Sequence, residues 1–245
     1  MKTMKVIIDH NLSDINEEIR WYLSSQIIWI GKAKDYKEIE ELKKTSYGSF
    51  DWLWSDADTI LFNKDDLNFS GAVIKLTEPI NVIKEESDIK QFEVKSGSIK
   101  LRVKKNFSNK LSHITEYYTK EDKIISYSEK WNKSERVVLV SMTGNFSFVL
   151  QTDEMVGFIL VNASKHIISD GIHFVEARGA AEPDFSLKLS MFLELVEMME
   201  SEIPEIEESE LKKSFAKIYE EILPYEGTNY IALRDTILNV IDYMD

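Results

Sequence analysis

Between residues 59 and 168 the chain reads as one strand-like segment after another, several of them joined by short turns. "DTILFN" and "GAVIKLTEP" come first. "QFEVKSGSIKLRV" predicts a hairpin turning at Ser-Gly-Ser, and "HITEYYTKEDKIISYSE" predicts another turning at Lys-Glu-Asp. "RVVLVSMTGNFSFVLQTDEMVGFILVNA" predicts a three-stranded meander with turns at Thr-Gly-Asn and Thr-Asp-Glu. Parallel neighbours need a crossover of about a dozen residues or more, so strands joined this way pair antiparallel. A mainly antiparallel sheet is therefore the frame that the rest of the chain must fit.

The flanks have other periods. The first 45 residues alternate as β-α-β-α: "MKVIID" and "IIWIG" are short apolar strands. "LSDINEEIRWYLSSQ" sets Ile15, Ile19, Tyr22 and Leu23 at helical spacing, with Ser13 as its N-cap, and "DYKEIEELKKTS" does the same through Tyr36, Ile39 and Leu42. From residue 184 three apolar stripes follow at helical spacing. One runs through Phe185, Leu189, Phe192, Leu193, Val196 and Met199; a second through Leu211, Phe215, Ile218, Tyr219 and Ile222; a third through Tyr230, Leu233, Ile237, Val240, Ile241 and Met244. The expected fold is α+β: a core over residues 1–181 with a helical section over 182–245 packed on it, forming a single domain. The acidic stretch 200–210 is its most linker-like segment.

Charge divides the chain the same way. The net charge is −13, yet residues 182–245 hold sixteen acids and five bases while residues 1–181 are close to balance. Phosphate would be repelled by this field, which argues against nucleic acid as a partner. A basic protein would be drawn to it. The absence of cysteine excludes disulfides and thiolate chemistry. No apolar run approaches the roughly 20 residues of a membrane span, and the opening "MKTMKVIIDHNLSD" is too short in apolar residues for a signal peptide. A cytoplasmic protein with no membrane partner is expected.

Motifs for chemistry are sparse. GxGxxG, GxxxxGK[ST], HExxH and GxSxG are all missing. Asp9-His10, at the end of a strand, is the best catalytic pair, and it competes with a polar loop. His166 and His173 flank a turn where Asp170 or Glu176 could complete a metal set; unlinked histidines on neighbouring strands are the simpler reading. Lys100, Arg102 and Lys104 align on one strand face, where a phosphate-binding stripe competes with a solvated face or a lysine-guarded edge. No cofactor or metal is expected.

Two segments remain as partner-binding candidates. "SFDWLWSDAD" places Phe50, Trp52 and Trp54 at alternate positions beside Asp56 and Asp58. A calcium-loop register from Asp56 meets Ile60 and Leu61 where ligands and a glycine belong, so the tryptophans are either one buried face of a strand or anchors for a partner. The second segment carries Glu205, Glu207, Glu208 and Glu210. Together these residues predict a non-catalytic interaction module, an immunity-protein or antitoxin type of inhibitor being one concrete form, that binds a basic partner through an acidic surface. The alternative is a hydrolase or transferase with dispersed catalytic residues near Asp9 and His10.

Overall fold

The computed structural model describes residues 5–10, 18–50, 57–87, 92–132, 134–169, 183–201 and 207–244. Its frame is two large sheets whose inner faces share one core. Seven strands form the first in the order β7(Asn81–Ile83), β10(Ile114–Tyr118), β11(Lys123–Tyr127), β14(Glu154–Val161), β13(Phe146–Gln151), β12(Val138–Ser141) and β8(Glu93–Ser96). Six form the second in the order β15(Ile167–Ile168), β2(Ile19–Tyr22), β3(Ile27–Ile30), β6(Phe69–Lys75), β5(Thr59–Asn63) and β4(Ser46–Ser49). A two-stranded ribbon of β1(Val6–Asp9) and β9(Ser98–Leu101) bridges them. Leu101 N–H reaches Leu67 O beside the six-stranded sheet, and Val6 N–H reaches Asp153 O at the β13–β14 turn. The architecture is α+β with mostly antiparallel pairing, as expected; only β7–β10, β8–β12 and β15–β2 run parallel.

Alternation places the core. In β13, Phe146, Phe148 and Leu150 point inward and meet Trp21, Ile28, Ile30, Ile60 and Phe62 from the opposite sheet. Trp21 lies 6.5 Å from Tyr117, and Phe69 lies 5.4 Å from Phe148, ring to ring across the interface. Each such buried aromatic contributes on the order of 2–3 kcal/mol of transfer free energy. The outer face of the six-stranded sheet, through Trp29, Leu61 and Val73, is covered by α1(Tyr36–Lys44), which drives Ile39 onto it. Asp35 caps that helix by accepting Glu38 N–H at 2.8 Å, and Glu38 reaches back to Lys34 N–H at 2.8 Å. The outer face of the seven-stranded sheet packs Phe92 and Trp131 over Ile125, Leu139 and Ile159.

The three C-terminal stripes form α2(Pro183–Met199), α3(Glu208–Ile222) and α4(Thr228–Tyr243). Phe185, Leu189, Phe192, Phe215, Leu233 and Ile237 join the same core as the sheets. α2 packs on β7 and α4 on β15, so the helices close one edge of each sheet. No helix among the described residues is long and apolar enough to cross a membrane.

Two local expectations change. Ile19–Tyr22 is a strand, not the second half of a helix. The helical count used Ile19, Tyr22 and Leu23 and left out Trp21, whereas a period of two sends Ile19, Trp21 and Leu23 to the core and Arg20 and Tyr22 to the other face. Arg20 spans that outer face, its guanidinium 5.3 Å from the Trp29 ring centre and donating to Gly31 O at 3.1 Å. The 92–103 segment is not a hairpin either. β8 pairs with β12 and β9 with β1, so Ser-Gly-Ser is a corner between two sheets. Gly97 makes the corner at φ 145°, and a Cβ there would stand 2.5 Å from Asp9 O.

Candidate functional site

Among the described residues, the helical section carries an exposed acidic surface that packing does not consume. Glu207, Glu208 and Glu210 are exposed at the start of α3, where negative charge also complements the helix N-terminus. None of the three carboxylates has a side-chain hydrogen bond or ion pair among the described residues. Asp184, Glu200, Glu220, Glu226, Asp235 and Asp242 add exposed acids from all three helices. Two of the bases in this section are committed elsewhere. Lys188 is paired with Glu221, and Arg234 donates to Leu223 O at 2.8 Å, capping the end of α3. Lys212, Lys213 and Lys217 balance the middle of α3, so the negative character concentrates at its start.

The aromatic candidates divide differently. Trp52, Trp54, Asp56 and Glu205 lie outside the described residues. Phe50 packs against the Trp29–Leu61–Val73 cluster. Asp58 must be corrected: it is 2% exposed and cannot meet a partner from the surface. Its carboxylate accepts Leu111 N–H at 2.6 Å and Lys75 N–H at 3.2 Å, while its own N–H donates to Asn109 O at 2.9 Å. Asp58 therefore ties the 109–111 segment to β5 and β6. Burial pushes its carboxyl up to about 7, against the opposing pull of the two N–H donors and Lys110.

Among the described residues, the candidates for chemistry do not come together. His10 is exposed, with its ring Nδ1 3.3 Å from Ser96 O at the end of β8. His113 faces Glu129 at 3.4 Å. His166 is held down in pKa by burial, with Nδ1 on Ile19 O at 3.3 Å, and His173, Asp170 and Glu176 lie outside the described residues. No group of three metal-ligating side chains occurs among the described residues. The basic stripe ends early: β9 stops at Leu101, and Arg102 turns to Asp153 at 3.3 Å.

Sequence reading missed one polar centre. Asp122 takes a left-handed conformation after the short helical turn Thr119–Glu121 and accepts three hydrogen bonds: Ser164 N–H at 3.0 Å, Ser164 Oγ–H at 2.7 Å and Tyr117 O–H at 2.9 Å. Ser, Asp and His166 are close in this region, but the aspartate binds the serine directly. No imidazole relays between them, and Ser164 is fully buried. The cluster clamps the β10–β11 turn to the Ala163–His166 turn; burial and the Asp122 charge raise the Tyr117 phenol well above its ordinary range.

One cleft of about 440 Å³ opens where the ribbon crosses the seven-stranded sheet, with Val6, Ile8, Val138 and Leu150 as its floor and Glu93, Lys95, Glu135 and Arg136 at its rim. The rim charges pair with one another, Glu93 with Arg136 and with Lys95 at 3.5 Å. No protein-family model matches the sequence, and no curated protein matches it.

Proposed function

We propose that the protein is a non-catalytic interaction module that holds a basic protein partner on the acidic surface of its helical section. The segregation of charge carries this reading. In the sandwich Asp58, Glu116, Glu121 and Asp122 are spent on internal bonds, whereas the acids opening α3 are exposed with no such bonds among the described residues. Such a surface speeds encounter with a basic partner and disfavours acidic ones. An inhibitor of the immunity-protein or antitoxin type, which covers a basic toxin, is the concrete form. The scatter of His10, His113 and His166 over separate regions supports a binding role over an enzymatic one.

Affinity capture of the tagged full chain from its native cells tests the reading. The expected result is one stoichiometric basic protein, released by high salt. Its binding should weaken about 10-fold when Glu205, Glu207, Glu208 and Glu210 are all changed to Gln. Recovery of no stoichiometric partner, or of a partner held equally by the variant, would overturn it.

A further inference from the structure

Each large sheet ends in two edge strands, and three of these four edges are covered. α2 packs along β7 and α4 along β15. β4 is closed by the 106–107 segment: Phe107 N–H donates to Gly48 O at 3.2 Å, and Gly48 N–H donates to Asn106 Oδ1 at 3.3 Å. The fourth edge belongs to β8, which pairs with β12 on one side and, among the described residues, with no strand on the other. Open edges invite pairing with another chain.

Alternation shows which groups this edge presents. Gly97 N–H bonds Ser141 O of β12 at 3.1 Å, so Glu93, Lys95 and Gly97 turn their backbone toward β12. Ser96 O meets His10 on the opposite side. The Val94 N–H and C=O therefore face outward, and its side chain is 62% exposed on the outer face, on the same side as Phe92.

We propose that β8 pairs antiparallel with β8 of a second copy of this chain, across a two-fold axis at Val94, joining two seven-stranded sheets edge to edge. The sequence Glu-Val-Lys is its own complement about that axis. The two Val94 residues exchange both backbone bonds, and each Glu93 stands opposite the other copy's Lys95. Neighbouring registers that keep the bonding pattern are penalised. Moving the axis to residue 95 sets Lys95 against Lys95, and moving it to residue 93 sets Glu93 against Glu93. A charged edge of this kind repels most strands, yet in one register it accepts itself. Arg136 holds one oxygen of Glu93, and the other faces Lys95 of the same chain at a loose 3.5 Å, so in the dimer each Lys95 exchanges this partner for the Glu93 of the other copy. A four-residue strand buries less than the roughly 1,200 Å² of a standard stable interface, so the dimer is weak and concentration-dependent.

Sedimentation equilibrium of the full chain over a range of concentrations tests this. At physiological salt the Debye length of about 8 Å screens the net charge of the two copies while leaving contacting pairs effective. Wild type should show a monomer–dimer equilibrium. Glu93→Lys and Lys95→Glu should each weaken it about 10-fold, because each places two like-charge contacts in the dimer. The double variant Glu93→Lys/Lys95→Glu should return to near the wild-type constant. Hydrogen exchange supplies a second readout: protection of the Val94 amide should rise with protein concentration in wild type and not in Lys95→Glu. A monomer at every concentration, association indifferent to the single reversals, or no recovery in the double variant would overturn the proposal.

Discussion

The sandwich and the helical section use the same residue types in opposite ways. In the sandwich an acid is a fastener. Asp122 gathers three donors, Asp58 two, and Glu116 accepts from Tyr118 at 2.8 Å and Tyr127 at 3.0 Å. Glu121 accepts Ser87 N–H at 2.6 Å and pairs with Lys123 at 2.5 Å; burial would raise its pKa, but these bonds bring it down to about 2. At the start of α3, Glu207, Glu208 and Glu210 make no side-chain bond among the described residues. A carboxylate enclosed by donors can be read as structure, and one left in water next to others of its kind is available for something else.

Substitutions can sharpen that contrast, beginning with the largest effect. Phe148→Ala empties the centre of the shared core and should cost about 3–5 kcal/mol in chemical denaturation. Asp122→Ala strands the buried Ser164 donors and the Tyr117 hydroxyl and should cost about 2–4 kcal/mol, with raised hydrogen exchange at residues 119–123 and 163–166.

Asp58 gives a prediction with a sign in pH. Its carboxyl titrates near 7 when folded and near its ordinary 3.8 when unfolded, so between these values the folded chain holds a proton that the unfolded chain has lost. Stability should therefore fall as pH rises from about 4 to about 7, by on the order of 1–4 kcal/mol. Asp58→Asn should remove that slope and cost about 1–2 kcal/mol at pH 5, where the wild-type acid is neutral and one acceptor is lost. Glu121 has the opposite sign: its contribution is present above about 4.5 and fades as pH falls toward 2. The smallest effect belongs to the helices. Glu208→Gln and Glu210→Gln should each cost at most about 0.5 kcal/mol, through the helix N-terminus alone.

Much of this frame can be read in the chain. The helices hold because their stripes are long. Phe215, Ile218 and Ile222 recur often enough for the period to be unmistakable, and Asp35, Glu38, Lys43 and Lys44 mark both ends of α1. The β12–β13–β14 meander holds because its turns carry their own chemistry: Thr152 and Asp153 both take positive φ between strands that alternate cleanly. What could not be read depends on partners distant in sequence. Ile19–Tyr22 is too short for its period to settle the choice, and pairing with β3 and β15 decides it. Ser96-Gly97-Ser98 has hairpin composition, but Asp9 O presses against Gly97 and the two flanking strands join different sheets. Asp58 and Asp122 look like any surface aspartate until Leu111 and Ser164, 53 and 42 residues away, are brought to them.

The contrast between the two regions rests on what the acids before and at the start of α3 are for, and one paired measurement addresses it. The four-site variant Glu205→Gln/Glu207→Gln/Glu208→Gln/Glu210→Gln would be compared with wild type for denaturation midpoint and for retention of the native-cell partner in the same preparation. The account predicts a stability change of no more than about 2 kcal/mol together with partner binding weakened about 10-fold. A large loss of stability would make these acids fasteners like those of the sandwich, and unchanged partner retention with intact stability would contradict their role as the docking surface.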